Sequence, residues 1–250
     1  MRDYPAPGRA ILLASGEFSF RKETCIATEP HKRLIVAIDG PAGAGKSTIA
    51  RSVARRLGFT YIDSGAMYRA VALWALQAGV ALDDLHRLEQ LALAARIEFS
   101  GDTIQLNGED VTAAIRGPQV TEAASKVSTV PGVRRAMREE QRRIGSRQSV
   151  VMEGRDIGTV VFPEAQVKIY LDADPDVRAE RRAAELGGSP TDVGREMAER
   201  DNRDRTRREA PLTQAPDADY LDSSRLSPSD VEEAILKLVR DRTSNGKEHR

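Results

Sequence analysis

The feature that most constrains this chain is a short aliphatic run that breaks into a glycine-rich turn. Leu34-Ile35-Val36-Ala37-Ile38 has the aliphatic composition of a strand covered on both faces. Directly after it comes Gly40-Pro41-Ala42-Gly43-Ala44-Gly45-Lys46-Ser47-Thr48, which satisfies the spacing G-x-x-x-x-G-K-[ST] in the order strand, loop, helix. The chemistry of this pattern is specific. Glycines let backbone N–H groups converge on phosphate oxygens, and the helix that follows presents its positive end. Lys46 adds a point charge, and the Ser47 hydroxyl suits magnesium. The loop alone leaves open whether a bound γ-phosphate goes to water, to another molecule or nowhere.

Four later runs resemble the first strand, at residues 59–62, 150–152, 167–171 and 218–221. Amphipathic helices lie between them. One starts at Ser64, carries Met67, Ala70, Val71, Trp74 and Ala78 on one face, and stops at Gly79. Others start at Asp174-Pro175 and Ser227-Pro228, each a cap residue followed by proline at the first helical position. Strands alternating with helices predict an α/β fold with a doubly wound, five-stranded parallel sheet. The alternation fails once. Ile97-Glu98-Phe99, the segment 103–106 and Val111 are short β-like pieces separated by Ser100-Gly101-Asp102 and Asn107-Gly108, a hairpin signal. A small antiparallel insertion is expected at about 96–125. Residues 1–32 show no sustained period and are read as a loose extension of one domain spanning 33–250.

Composition narrows the function classes. Lysine plus arginine (38) equals aspartate plus glutamate (38), so no general basic field marks a nucleic-acid binder. Apolar runs are far shorter than the ~20 residues of a membrane-spanning helix. One cysteine, Cys25, allows no internal disulfide, and His31, His86 and His249 lack metal-ligand spacing. A cytoplasmic monomer with no membrane or nucleic-acid partner is expected.

Candidate acceptor chemistry arrives at the same sheet edge as the glycine loop. The second strand runs into Asp63-Ser64-Gly65-Ala66-Met67-Tyr68-Arg69, where Ser64 is read as a helix cap or phosphate ligand and Arg69 as a forked donor to the same anion. The third ends in Glu153-Gly154-Arg155-Asp156, bringing an arginine and a carboxylate to the edge where open α/β sheets bind ligands. From Arg200 there are five arginines in nine residues, Arg200, Arg203, Arg205, Arg207 and Arg208. Gly187-Gly188-Ser189-Pro190 supplies a hinge upstream, so a lid at about 183–208 is expected to close over phosphates. Arg134, Arg135, Arg138, Arg142 and Arg143 read either as site residues or as partners of Glu139 and Glu140 at helical spacing.

Taken together, G-P-A-G-A-G-K-S-T, D-S-G-A-M-Y-R, E-G-R-D-I-G-T-V-V-F-P and E-R-D-N-R-D-R-T-R closely resemble the bacterial cytidylate kinases over about residues 33–240. The resemblance implies a phosphate-loop kinase with an enlarged monophosphate-binding insertion, a short lid, and transfer of the γ-phosphate of ATP to CMP or dCMP with Mg2+. It implies that Ser64, Arg69, Arg155 and Arg207 bind the acceptor phosphate, and that Arg200 and Asp204 meet the ribose and phosphate. By the same resemblance Ser125, Arg134 and Asp156 read cytosine, and Arg178 and Arg182 approach ATP beside the loop 40–48. Lys46, Arg155 and Arg207 would stabilise the transferring group. Magnesium is assigned to Ser47, with Asp39 or Glu153 as the supporting carboxylate. Two rivals remain at this stage: a kinase for another nucleotide or small acceptor, and a nucleotide switch or RNA-binding module. The latter needs an N-K-x-D-like motif or a basic aromatic surface, and aromatics are 4% of residues.

Overall fold

The computed structural model describes residues 33–244; the extension expected at 1–32 lies outside them. Five parallel strands form the main sheet in the order β2-β6-β1-β7-β8: β1 Ile35–Asp39, β2 Thr60–Asp63, β6 Val150–Gly154, β7 Val167–Asp172 and β8 Asp219–Asp222. These are the five runs legible in the sequence. Alternate residues of β1 point to opposite faces, and both faces are covered. Ile35 and Ala37 join Ile62, Met67, Val150 and Met152 in one core, whereas Val36 and Ile38 join Val53, Val151, Ile169 and Ile235 in the other. Each buried Val, Ile or Met side chain among these stabilises the fold by about 1.5–3 kcal/mol.

α1 (Lys46–Leu57) and α8 (Pro228–Ser244) cover the second face. On the first lie α2 (Ser64–Gln77), α3 (Leu85–Ala94), α4 (Pro118–Val127) and α5 (Pro131–Gly145). Asp174 caps α6 (Pro175–Leu186) as expected, accepting from the Asp176 N–H at 2.9 Å. Ser227 and Asp230 exchange hydrogen bonds at the start of α8. Of the two readings of Ser64 the helix cap is not the one found: Asp63 accepts from Ala66 N–H at 2.9 Å, which leaves Ser64 for another contact.

The insertion contains the expected antiparallel sheet, β3 (Ile97–Ser100), β4 (Thr103–Leu106) and β5 (Glu109–Asp110), turning at Asn107-Gly108. Ile97, Ile104, Leu106, Val111 and Ile115 are buried in the same core as α2, and α4 carries the segment on to Val127. Between β6 and β7 the chain makes a π-helical turn, Ile157–Val161, absent from the expected pattern. α7 (Pro190–Thr206) occupies the expected lid segment.

Candidate active site

Because all five strands run the same way, Asp39, Asp63, Gly154, Asp172 and Asp222 end at one edge. Chain order reverses about β1, so the glycine loop and the loop after β6 flank the crevice where such sheets bind ligands. On the loop side, α1 starts at Lys46 with Gly45 in the left-handed conformation as its cap. Lys46 is buried and its Nζ donates to Pro41 O at 2.5 Å. Burial, with Arg155 nearby, pulls the ammonium below the usual lysine range.

Glu153 is buried beside it. Its Oε1 accepts from the Tyr61 hydroxyl at 2.6 Å. Burial and then Asp63 push its carboxyl up, while Lys46 and the Ser47 hydroxyl oppose them. Asp39, the other carboxylate candidate, has both oxygens engaged by backbone: Oδ1 accepts from Ile157 N–H at 2.8 Å and Oδ2 from Gly158 N–H at 2.7 Å.

Five of the expected acceptor residues form one chain of ion pairs. Asp156 Oδ2 meets Arg134 Nη2 at 2.6 Å and Oδ1 meets Arg207 Nη2 at 3.3 Å. Arg207 Nη1 lies 3.5 Å from Asp204 Oδ1, and Asp204 Oδ2 accepts from Arg155 Nε at 2.9 Å. The Arg134 guanidinium also sits 5.7 Å from the centre of the Tyr68 ring. Two cavities, of about 200 and about 390 Å³, share Arg134 on their walls. The smaller adds Tyr68, Arg138, Gln141 and Asp156, and the larger adds Arg207 and Arg208.

The other expected residues fall around this network. Ser64 Oγ donates to Glu153 O at 2.6 Å, and a Cβ at Gly154 would lie 2.7 Å from that hydroxyl oxygen, so the close approach of β6 to α2 requires glycine there. Arg69 pairs with Asp63 at 2.7 Å, and its buried Nε has no partner. Ser125 stands one step removed: its carbonyl accepts from Ser128 Oγ, and the Ser128 carbonyl accepts from Arg134. Arg200 has no ion-pair partner among the described residues. Burial and then Arg155 lower its pKa to about 10, and Arg69 and Arg182 act in the same direction. Arg155 and Arg200 both act on Lys46, so cations from three separate segments converge on the loop.

Of the arginines on α5, Arg143 pairs with Glu140 as the helical spacing predicts, Arg135 pairs with Glu89, and Arg142 donates to Val160 O and Val161 O. Arg182 pairs with Glu185. Arg178 is committed to structure, donating to Ala173 O, Ala42 O and buried Asp201. Asp201 also accepts from Ala42 N–H at 3.0 Å. Met197 seats α7 on the loop, since a Cβ at Gly43 would lie 2.6 Å from its Cε. α7 therefore has more support than its charged sequence suggests. Tyr61, Tyr68, Gln141, Met197 and Asp201 were not singled out from the sequence. Tyr68 and Asp201 lie within the quoted motifs and Tyr61 two residues before one of them, and that placement was their only signal.

A glycine cradle with a buried lysine, facing a nest of arginines and aspartates across one sheet edge, defines a phosphotransferase of the phosphate-loop class. The pattern of the cytidylate kinase family matches residues 36–241. The chain is 63% identical over 230 residues to a cytidylate kinase from Solibacter usitatus, covering 89% of this chain and 99% of that one. It is 47% identical to the cytidylate kinase of Pelodictyon phaeoclathratiforme, covering 84% and 96%. It also matches 42% of the length of a bifunctional pantoate ligase/cytidylate kinase from a Synechococcus strain, at 45% identity. The chain belongs to the cytidylate kinase family.

Proposed function

We infer that the chain transfers the γ-phosphate of ATP to CMP or dCMP, giving ADP and the diphosphate. The carrying observation is the buried Asp156–Arg134 pair on the wall of a cavity at the sheet edge that also holds the glycine loop. Cytosine offers an exocyclic amine, which a carboxylate accepts, and a ring nitrogen and carbonyl, to which a guanidinium donates. Uracil inverts part of that pattern. Arg69, Arg155 and Arg207, with Ser64, are proposed to hold the acceptor phosphate, Arg200 and Asp204 to meet ribose and phosphate, and Ser125 to join the base readers. Arg182 is proposed to face the ATP phosphates; Arg178 reaches them by bracing Ala42 and Asp201.

The acceptor phosphate is already largely dianionic at neutral pH, its second pKa being ~6, so no strong base is required. Lys46 and the arginines lower the repulsion between two anions and hold them in line. Magnesium fits Ser47 and Glu153, hard oxygen donors of which the carboxylate is buried and oriented by Tyr61, whereas Asp39 is engaged by two amides. When bound, the ion would neutralise charge on the transferring phosphates. Among the described residues no helix is long and apolar enough to cross a membrane. We propose a cytoplasmic monomer without a nucleic-acid partner, a reading supported by the balanced charge. An ATP-coupled assay across all nucleoside monophosphates tests the function: CMP and dCMP are expected to dominate, and a faster purine monophosphate would overturn it.

A further inference from the structure

The turn that carries Asp156 into the site lacks its own cap. Asp156 occupies the cap position of the π-helical turn Ile157–Val161, and a residue of that type normally spends its carboxylate on the first free N–H groups of the turn. Here its side chain makes no such bond, because both oxygens face outward to Arg134 and Arg207. Buried Asp39, at the end of β1, takes over, one carboxylate oxygen accepting from Ile157 N–H and the other from Gly158 N–H. The parallel register places Asp39 opposite Gly154, so the clamp crosses directly from one strand end to its neighbour's loop. Arg142 closes the far end of the turn through Val160 O and Val161 O.

We propose that Asp39 is a positioning residue for cytosine recognition, a cap supplied by the neighbouring strand that frees the Asp156 carboxylate for the base. Asp39 also immediately precedes Gly40, so the same residue ties the start of the phosphate loop to the acceptor loop. This assignment rests on the reading of Asp156 as a base contact. It differs from a magnesium role for Asp39 in which substrate it affects.

The test is Asp39→Asn, which keeps the shape but turns an amide N–H₂ toward one of the two backbone donors. Steady-state constants for CMP, UMP, ATP and Mg2+ are measured in wild type and variant, with a thermal melt of each. Displacements of about 1 Å in a site can cost ~100-fold. The expected result is a rise in KM for CMP of about tenfold or more, a smaller CMP/UMP preference, and ATP and Mg2+ dependence changed less than about twofold. A raised Mg2+ or ATP requirement with unchanged KM for CMP would overturn the assignment, as would equal losses for all substrates. If the asparagine variant does not fold, Asp39→Ser, which removes both carboxylate oxygens without facing an amide to an amide, is measured in the same way. Failure of both to fold would assign Asp39 to stability alone and end the proposal. A wild-type chain inactive on CMP would instead sink the underlying kinase reading.

Discussion

Around the phosphate loop the polar groups are mainly backbone amides drawn from consecutive residues, 40 to 48, with Lys46 as the main side chain. Around Asp156 they are side chains from α5, from the loop after β6 and from the end of α7, joined across gaps of 22, 49 and 51 residues. The donor end is therefore encoded mainly in one local segment, with Arg178 and Asp201 bracing Ala42 across gaps of 136 and 159 residues. The acceptor end exists only once the sheet and helices have assembled, and each ion pair orients the next. Chemically, the first recognises any polyphosphate, and the second chooses what receives it. Single changes at the donor end should act on turnover, whereas changes in the ion-pair chain should act together and on acceptor choice.

The largest effect is expected at the donor end. Lys46→Ala removes the buried charge beside the transferring group and should lower kcat by about a thousandfold, the scale of losing a preorganised stabilising donor. Because burial already disfavours the ammonium, the variant should melt no lower than wild type, which differential scanning calorimetry checks. A folded variant with near-normal turnover would remove the difference between the two ends.

Next in size is the hub of the acceptor chain. Arg207→Ala deprives both Asp156 and Asp204 of a partner and should reduce kcat/KM for CMP by about a hundredfold. In a double-mutant cycle with Arg134→Ala, the two losses should couple by about 0.5–3 kcal/mol, since both arginines share Asp156. Additive losses would mean the chain of pairs does not act as a unit.

A smaller effect concerns stability. Burial pushes the Asp39 carboxyl up to about 6, with Asp156 adding and the Ile157 and Gly158 amides and Lys46 opposing. Folding thus favours its protonated form, and the stability this contributes is fully present below the ordinary carboxylate value of 3.8 and lost as pH rises through about 6. Over that window the wild-type Tm should fall relative to that of Asp39→Asn. A constant difference in Tm would show that the carboxylate carries no such cost.

Much of this molecule was legible in its sequence because its strongest signals are local. The five aliphatic runs, the proline-marked starts of α6 and α8 and the Asn107-Gly108 turn all appear where short-range patterns put them. Charged motif residues could be located at the sheet edge, but their pairings could not. Whether Ser64 or Asp63 caps α2 depends on where Glu153 O lies, and that is decided by the packing of β6. Asp39 and Glu153 read equally as the carboxylate that supports magnesium until the π-helical turn, invisible to hydrophobic periodicity, brings two amides to Asp39. Arg178 resembles an ATP ligand in the sequence, yet its donors are taken by Ala42, Ala173 and Asp201. Met197 and Asp201 sit in a helix whose charge suggests a solvated lid, and their burial comes from the opposing loop.

The claim that acceptor choice resides in the ion-pair chain is tested most directly at Asp156. Where cytosine donates an amine hydrogen to the Asp156 carboxylate, uracil turns a carbonyl acceptor against it, a mismatch of about 1–3 kcal/mol, so wild type should prefer CMP over UMP by at least about tenfold. Asp156→Asn offers an amide that can donate to that carbonyl. Measured as kcat/KM for both nucleotides in both proteins, the account predicts lower CMP activity in the variant and a narrower CMP/UMP ratio. A ratio unchanged from wild type would contradict it.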